Sequence, residues 1–334
     1  MLKRLTLLCA SVLLLAAGLA APANAEVSEL RIGKQYGLPY LQLIIIEEQK
    51  LIEKHAQRAG LGGLTVVWAT MGGPAALNDG LISGSIDLAA IGLSNLVTLW
   101  DKTRGTARIR AIAGMNAMPL ILLTRDPNIR SLKDYTEKDR IAVPSVKISM
   151  QAILLEMAAA RAFGRENWEK LDPLTVSMGH PDAVAALSSG GEIASHFSSA
   201  PFQYRQLKQP GYRQVLSSYD IVGPHSVSAL SMTTKFHDGN AKTVQALLDA
   251  LKEATAWIRD NKKAAAETYL RVTRDRSPLE EVVEILSDPA IIITLEPMGA
   301  DKISKFMAVS GRVKARPDDW RDYYFGNIDG LKGN

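Results

Sequence analysis

The stretch Gly72–Asn95, GGPAALNDGLISGSIDLAAIGLSN, constrains the fold more than any other in this chain. Gly72-Gly73-Pro74 opens a short helix that carries Leu77 and Leu81 four residues apart, and Gly84-Ser85 closes it. Ile86–Ile91 then reads as a strand with almost no polar alternation. Such a run suits a parallel strand covered on both faces. Gly92-Leu93-Ser94-Asn95 follows, a second glycine turn whose polar residues suit the N-cap of the next helix. Two successive strand-to-helix loops therefore carry small residues and free backbone N–H groups. In open α/β sheets such loops lie at the carboxyl ends of strands, where ligands bind, and helix N-termini there favour anions.

The N-terminus reads as an export signal. Lys3 and Arg4 precede an apolar run from Leu5 to Ala21, and Ala23-Asn24-Ala25 gives the small-residue cleavage pattern. The expectation is a mature chain beginning at Glu26, resident in the periplasm. The only cysteine is Cys9, inside the expected leader. The mature chain then has no disulfide, thiolate metal site or cysteine nucleophile, and its stability comes from core burial. The formal net charge is +4, of which Lys3 and Arg4 contribute two. There is no basic stripe with interleaved aromatics, so nucleic acid is not an expected partner.

The mature chain reads as two β/α series. Leu30–Lys34, Leu64–Thr70 and Ile86–Ile91 are strands of the first, with a helix between the first two carrying Leu41, Ile44, Ile45, Leu51, Ile52 and His55 on one face. Arg140–Val143, Leu174–Met178 and Ile193–Ser199 are strands of the second, with helices over Ser149–Phe163 and Asp182–Ser189. Ile109–Ala113, Leu120–Thr124 and Val227–Thr234 read as strands at two crossings between lobes. The remainder is mainly helical. Ser277-Pro278-Leu279-Glu280 reads as a capping box, and an aromatic tail over 318–328 is expected to pack on the body. The fold class is α/β with two lobes, each a sheet flanked by helices, joined by two crossing strands. Lobe I is expected over 26–120 and 233–334, and lobe II over 121–232.

The order of these pieces resembles the periplasmic solute-binding proteins of ABC importers, most closely the nitrate/sulfonate/taurine group. The matching blocks are LRIGKQYGLPYLQLIIIEEQKLIEKHA at 30–56, GGPAALNDGLISGSIDLAAIG at 72–92, VKISMQAILLEMAAARAFG at 146–164, MGHPDAVAALSSGG at 178–191, SSAPFQYRQL at 198–207 and FMAVSGRVKARPDDWRDYYF at 306–325. The resemblance implies a type II-like binding-protein fold and a monomer that needs no cofactor. It also implies a small, anionic or organic solute and delivery to an inner-membrane permease with its ATPase. A sensor for a membrane signalling partner and a binder of pyrimidine or thiamine precursors are the alternatives. This sequence departs from the group's pattern at Lys50, where many relatives have glycine, at Pro144-Ser145-Val146-Lys147, and at Glu192–His196. The last two departures fall near the expected cleft, so the solute is not inherited from any relative.

Candidate ligand contacts follow from position at strand ends. Gln35, Tyr36, Gly37, Met71, Gly72, Gly73, Ser94 and Asn95 come from the first lobe; Ser145, Ser149, His180, His196, Phe197 and His225 come from the second. Small polar groups and helix N-termini hold an anion without a paired cation, and Tyr36 and Phe197 suit an apolar part of the solute. Each of these residues also suits plain loop packing. The spacing of His180, His196 and His225 is no metal pattern, and no serine elbow, H-E-x-x-H or P-loop is present. No metal and no catalysis are expected.

Overall fold

The computed structural model describes residues 26–328 and 330–333; the expected leader lies outside them. Among the described residues eleven strands make two sheets. In chain order they are β1 (Glu29–Lys34), β2 (Thr65–Thr70), β3 (Leu88–Ile91), β4 (Ile109–Ala117), β5 (Ile121–Thr124), β6 (Arg140–Val143), β7 (Thr175–Ser177), β8 (Ile193–Ser198), β9 (Arg213–Ser217), β10 (Ser226–Thr233) and β11 (Ile292–Ile293). The first sheet has the order β2-β1-β3-β10-β4-β11, and the second β7-β6-β8-β5-β9.

The two sheets share a plan. In each, three parallel strands are followed by one antiparallel strand that arrives from the other lobe: β10 between β3 and β4, and β5 between β8 and β9. β3 and β5 are buried along their whole length, and β10 along all but its last residue. That explains their continuous apolar or small-residue sequences. The chain crosses at 118–120 and again at 223–225. Ser218, just ahead of the second crossing, holds the end of the first, its N–H donating to the Leu120 carbonyl at 2.8 Å and its hydroxyl accepting from the Leu120 N–H at 2.9 Å.

The expected lobe boundary at 232/233 moves. Residues Ser226–Met232 pair in the first sheet, filling the backbone slot between β3 and β4, so the edge falls near 225/226. Two other local expectations change. Ser277 makes no capping box; its hydroxyl donates to Asp275 at 2.6 Å, and the helix starts at Leu279 without a side-chain cap. The N-cap after β3 is Gly92 rather than Ser94 or Asn95, which lie in the first turn of the Leu93–Thr103 helix. β9 and the Ser218–Val222 helix have no counterpart in the sequence reading. The aromatic tail does pack on the body, with Tyr323, Tyr324 and Phe325 buried.

The first long helix is two, Leu41–Gln49 and Leu51–Arg58, broken at Lys50, which takes a left-handed conformation at φ 52°. That conformation costs an L-residue roughly 1–2 kcal/mol, whereas glycine adopts it without strain. Lys50 is exposed and makes no ion pair among the described residues. Lys50→Gly is therefore expected to stabilise the chain by about 0.5–1 kcal/mol after glycine's greater entropy loss. A thermal melt should show a rise of about 1–3 °C; a fall would mean that the lysine side chain holds the bend.

Candidate functional site

The lobes meet closely along the strand ends. Leu38 N–H donates to the Ala200 carbonyl at 2.9 Å. Ser94 Oγ donates to the Ile148 carbonyl at 3.1 Å, and Ser94 N–H points at Met150 Sδ at 3.1 Å. A Cβ added at Gly73 would lie 2.6 Å from the Pro144 carbonyl oxygen, and one at Gly179 would lie 3.2 Å from that of Gly72. Gly73 and Gly179 thus serve the close approach of the two lobes, whereas a Cβ at Gly72 would meet nothing within 4 Å and that residue contributes only its backbone to the contact.

Between the lobes lies a cavity of about 30 Å³. Gln35, Tyr36, Pro39 and Tyr40, just past β1, form one wall with Pro74, Gly92, Asn95 and Val227. Pro144, Ser149, Met150, Gln151, His180 and Ser199 form the other. First-turn or N-cap residues of four helices take part: Pro74–Ser83, Leu93–Thr103, Met150–Phe163 and His180–Ser189. None of the lining side chains is an acid, a lysine or an arginine. The positive ends of four helices therefore converge on a site with no countercharge of its own.

The polar lining is fixed by its neighbours. Asn95 Nδ2 donates to Asn78 Oδ1 at 3.3 Å, and its Oδ1 accepts from Ser94 at 3.4 Å. Ser149 caps its helix by accepting from Ala152 N–H, while its hydroxyl donates to the Ser145 carbonyl at 2.9 Å. Gln151 Nε2 faces His180 Nε2 at 3.4 Å, His180 Nδ1 faces His196 Nε2 at 2.9 Å, and His196 Nδ1 faces Gln206 Oε1 at 3.1 Å. One assignment satisfies this chain: both imidazoles neutral with the proton on Nδ1, each donating inward, and Gln151 donating to His180. Burial drives His180 well below the ordinary imidazole value, and the neighbouring His196 adds to the effect. Burial pushes His196 and His225 down to about 4. Ser199, also buried, has a hydroxyl with no partner among the described residues.

Of the candidate contacts, Gln35, Tyr36, Asn95, Ser149 and His180 line the cavity. Gly37 lies on an adjoining groove of about 530 Å³ that shares Gln35 and Tyr36. The others act behind or beside the lining. Ser94 bridges the lobes, and the Ser145 carbonyl anchors Ser149. Met71 packs against the core while its N–H donates to the Lys34 carbonyl. His196 supports His180 from inside. Phe197 is in the core, fully buried, because alternation along β8 turns it away from the cleft face. His225 sits at the second crossing, bonded to the Gly223 carbonyl and edge-on to Tyr219. Sequence reasoning missed Tyr40, Gln151 and Ser199. The rule that pointed to His196 also points to Ser199, one residue past the end of β8; nothing local marks Tyr40. Among the described residues, no three His, Cys, Asp or Glu side chains gather to hold a metal ion.

Solved structures share this architecture. The alkanesulfonate-binding protein SsuA from Xanthomonas axonopodis pv. citri, bound to MOPS, superposes with a TM-score of 0.66 at 18% identity, over 86% of this chain and 93% of that one. The periplasmic aliphatic sulphonate binding protein SsuA from Escherichia coli gives 0.63 at 18%, over 90% and 98%. The periplasmic nitrate-binding protein NrtA from Synechocystis PCC 6803 gives 0.61 at 20%, over 78% and 70%. At these identities the likeness establishes the fold, the two-lobed periplasmic binding-protein architecture expected from the sequence. No curated protein matches the chain in sequence. Residues 23–272, most of the chain, match the sequence profile of the NMT1-like family, and to that family the chain belongs.

Proposed function

We propose that this chain is the solute-binding component of an importer, a periplasmic receptor that closes two lobes around a small anion and hands it to a membrane permease. The observation that carries the reading is the convergence of four helix N-termini on one cavity whose lining brings no charge of its own. Backbone N–H groups and the hydroxyl of Ser199 supply hydrogen bonds that an anion accepts. The sulfonate and nitrate binding named for SsuA and NrtA agrees with that chemistry. Both ring nitrogens of His180 are engaged, by Gln151 and His196, which favours binding over proton transfer. Closure is then a shift between open and closed forms, driven by a ligand that touches both lobes only in the closed one.

The test uses the chain from Glu26 to Asn334, titrated with nitrate, sulfate and benzenesulfonate, and with neutral benzenesulfonamide as control. At least one anion is expected to raise the melting temperature with the logarithm of its concentration, as a ligand of the native state does. Gly73→Ala places a methyl group against Pro144 without backbone strain, since Gly73 is extended at φ −164°. It is expected to hold the lobes apart and weaken that anion at least about tenfold, or about 1.4 kcal/mol. Binding of the neutral compound alone, or unchanged affinity in the variant, would overturn the reading.

A further inference from the structure

The cavity and the groove beside it differ in both size and chemistry. The cavity measures about 30 Å³ and the groove about 530 Å³. A cavity that takes a benzene ring measures about 150 Å³, so the first has room only for a small group and the second has room for a ring. The two share Tyr36, one of the few large apolar side chains left exposed, at 42%. Phe202 from the second lobe faces the same groove. Aromatic walls of this kind suit the body of an organic solute.

The groove's charges do not balance. Lys34 is paired with Glu47, and Arg205 with Asp275 at 3.3 Å. Arg274 and Arg276, both exposed on the same groove, have no ion pair among the described residues. The groove therefore carries two uncompensated guanidinium groups beyond the aromatic wall, and guanidinium groups bind carboxylate or sulfonate in a fork.

Resting on the anion reading above, we propose that this groove is a second subsite, which takes the apolar body and distal acidic group of an organic dianion whose proximal acidic group occupies the cavity. Tyr36 stands where the two compartments meet, and the body of the solute stacks on it. Arg274 and Arg276 select for the second charge.

Calorimetry with sulfate, benzenesulfonate and 4-sulfobenzoate tests this, on the chain and on the Arg274→Gln/Arg276→Gln double variant. The ring is expected to strengthen binding about tenfold over sulfate, and the second acid about tenfold more. In the double variant the ratio between 4-sulfobenzoate and benzenesulfonate should fall to about one. The exposed positions keep folding intact, which the melting temperature checks. A dianion no tighter than benzenesulfonate overturns the subsite, as does an advantage that survives in the double variant. Binding of sulfate alone also removes the subsite but leaves the anion reading standing. Failure of all three probes removes the subsite, and failure of nitrate as well brings down both.

Discussion

Replacing Arg312 by alanine is expected to lower the free energy of unfolding by about 3–5 kcal/mol. The guanidinium donates from Nε and Nη2 to the two carboxylate oxygens of Glu156, at 3.0 and 2.5 Å, and from Nη2 to Asp172 at 2.7 Å. It also lies 4.5 Å from the centre of the Trp168 ring. The Glu156 side chain is fully buried and that of Asp172 nearly so. Burial already pushes Glu156 up to about 8, against the pull of Arg312. Without the arginine, two carboxyl groups face each other in a dry site. Protonating Glu156 relieves part of that cost, so the deficit should be largest above pH 8 and shrink as the pH falls. Urea denaturation of Arg312→Ala at pH 8.5 and at pH 5 measures both. Arg312→Lys keeps the charge but loses the fork and should recover only part. A triple variant, Arg312→Met with Glu156→Gln and Asp172→Asn, should lie far closer to the parent, because no charge is left buried alone. A loss under about 1 kcal/mol in Arg312→Ala would show that the cluster is solvated.

The three buried imidazoles impose an opposite dependence on pH. Above the ordinary value of 6.5 they are neutral in both folded and unfolded chains and contribute no difference. As the pH falls below 6.5 the unfolded chain takes up protons that the fold refuses. Stability is then lost until the folded values are reached, which for His196 and His225 is about 4. Across that window each accounts for up to about 3 kcal/mol. Glu156 works the other way. Its raised value means that the native chain binds a proton first, which stabilises it as the pH falls from about 8 toward 4.5. The whole-protein curve mixes the two, so a difference is the right measurement. Between pH 7 and pH 4 the stability of the parent should fall by about 3 kcal/mol more than that of His196→Gln, which has one fewer refused proton. Equal pH slopes in the two chains would mean that His196 is charged within the fold.

The β/α order was legible because strands buried on both faces leave near-continuous apolar runs, as in Leu88–Ile91, and because glycines punctuate them. The bend at Lys50 was not, since a lysine gives no local sign that it will take a glycine conformation; only the departure from the family pattern marked the position. β9 escaped because Arg213–Ser217 is short and partly exposed, and its strand character comes from pairing with β5. At the cavity, the residues expected from position near strand ends that share one lining are Gln35, Tyr36, Asn95, Ser149 and His180. Position did not separate His180 from His196, one facing the cavity and the other standing behind it. That difference depends on how the His180–Ser189 helix packs over β8, a tertiary fact with no local signature. The ion cluster around Arg312 was equally silent, because its members lie at least 140 residues from Arg312 in the chain.

The placement of β10 also sets the order in which this protein can be built. β3 and β4 are made early, but the strand that separates them in the sheet begins only at Ser226. On the export reading, until about two-thirds of the chain has crossed the membrane the first sheet lacks its middle and two apolar strands present bare edges, a hazard for mispairing. Residues 121–225, by contrast, hold every strand of the second sheet in one continuous piece. Vectorial emergence therefore favours the inserted half as the first to assemble. The outer half waits for a long-range closure, which is slow.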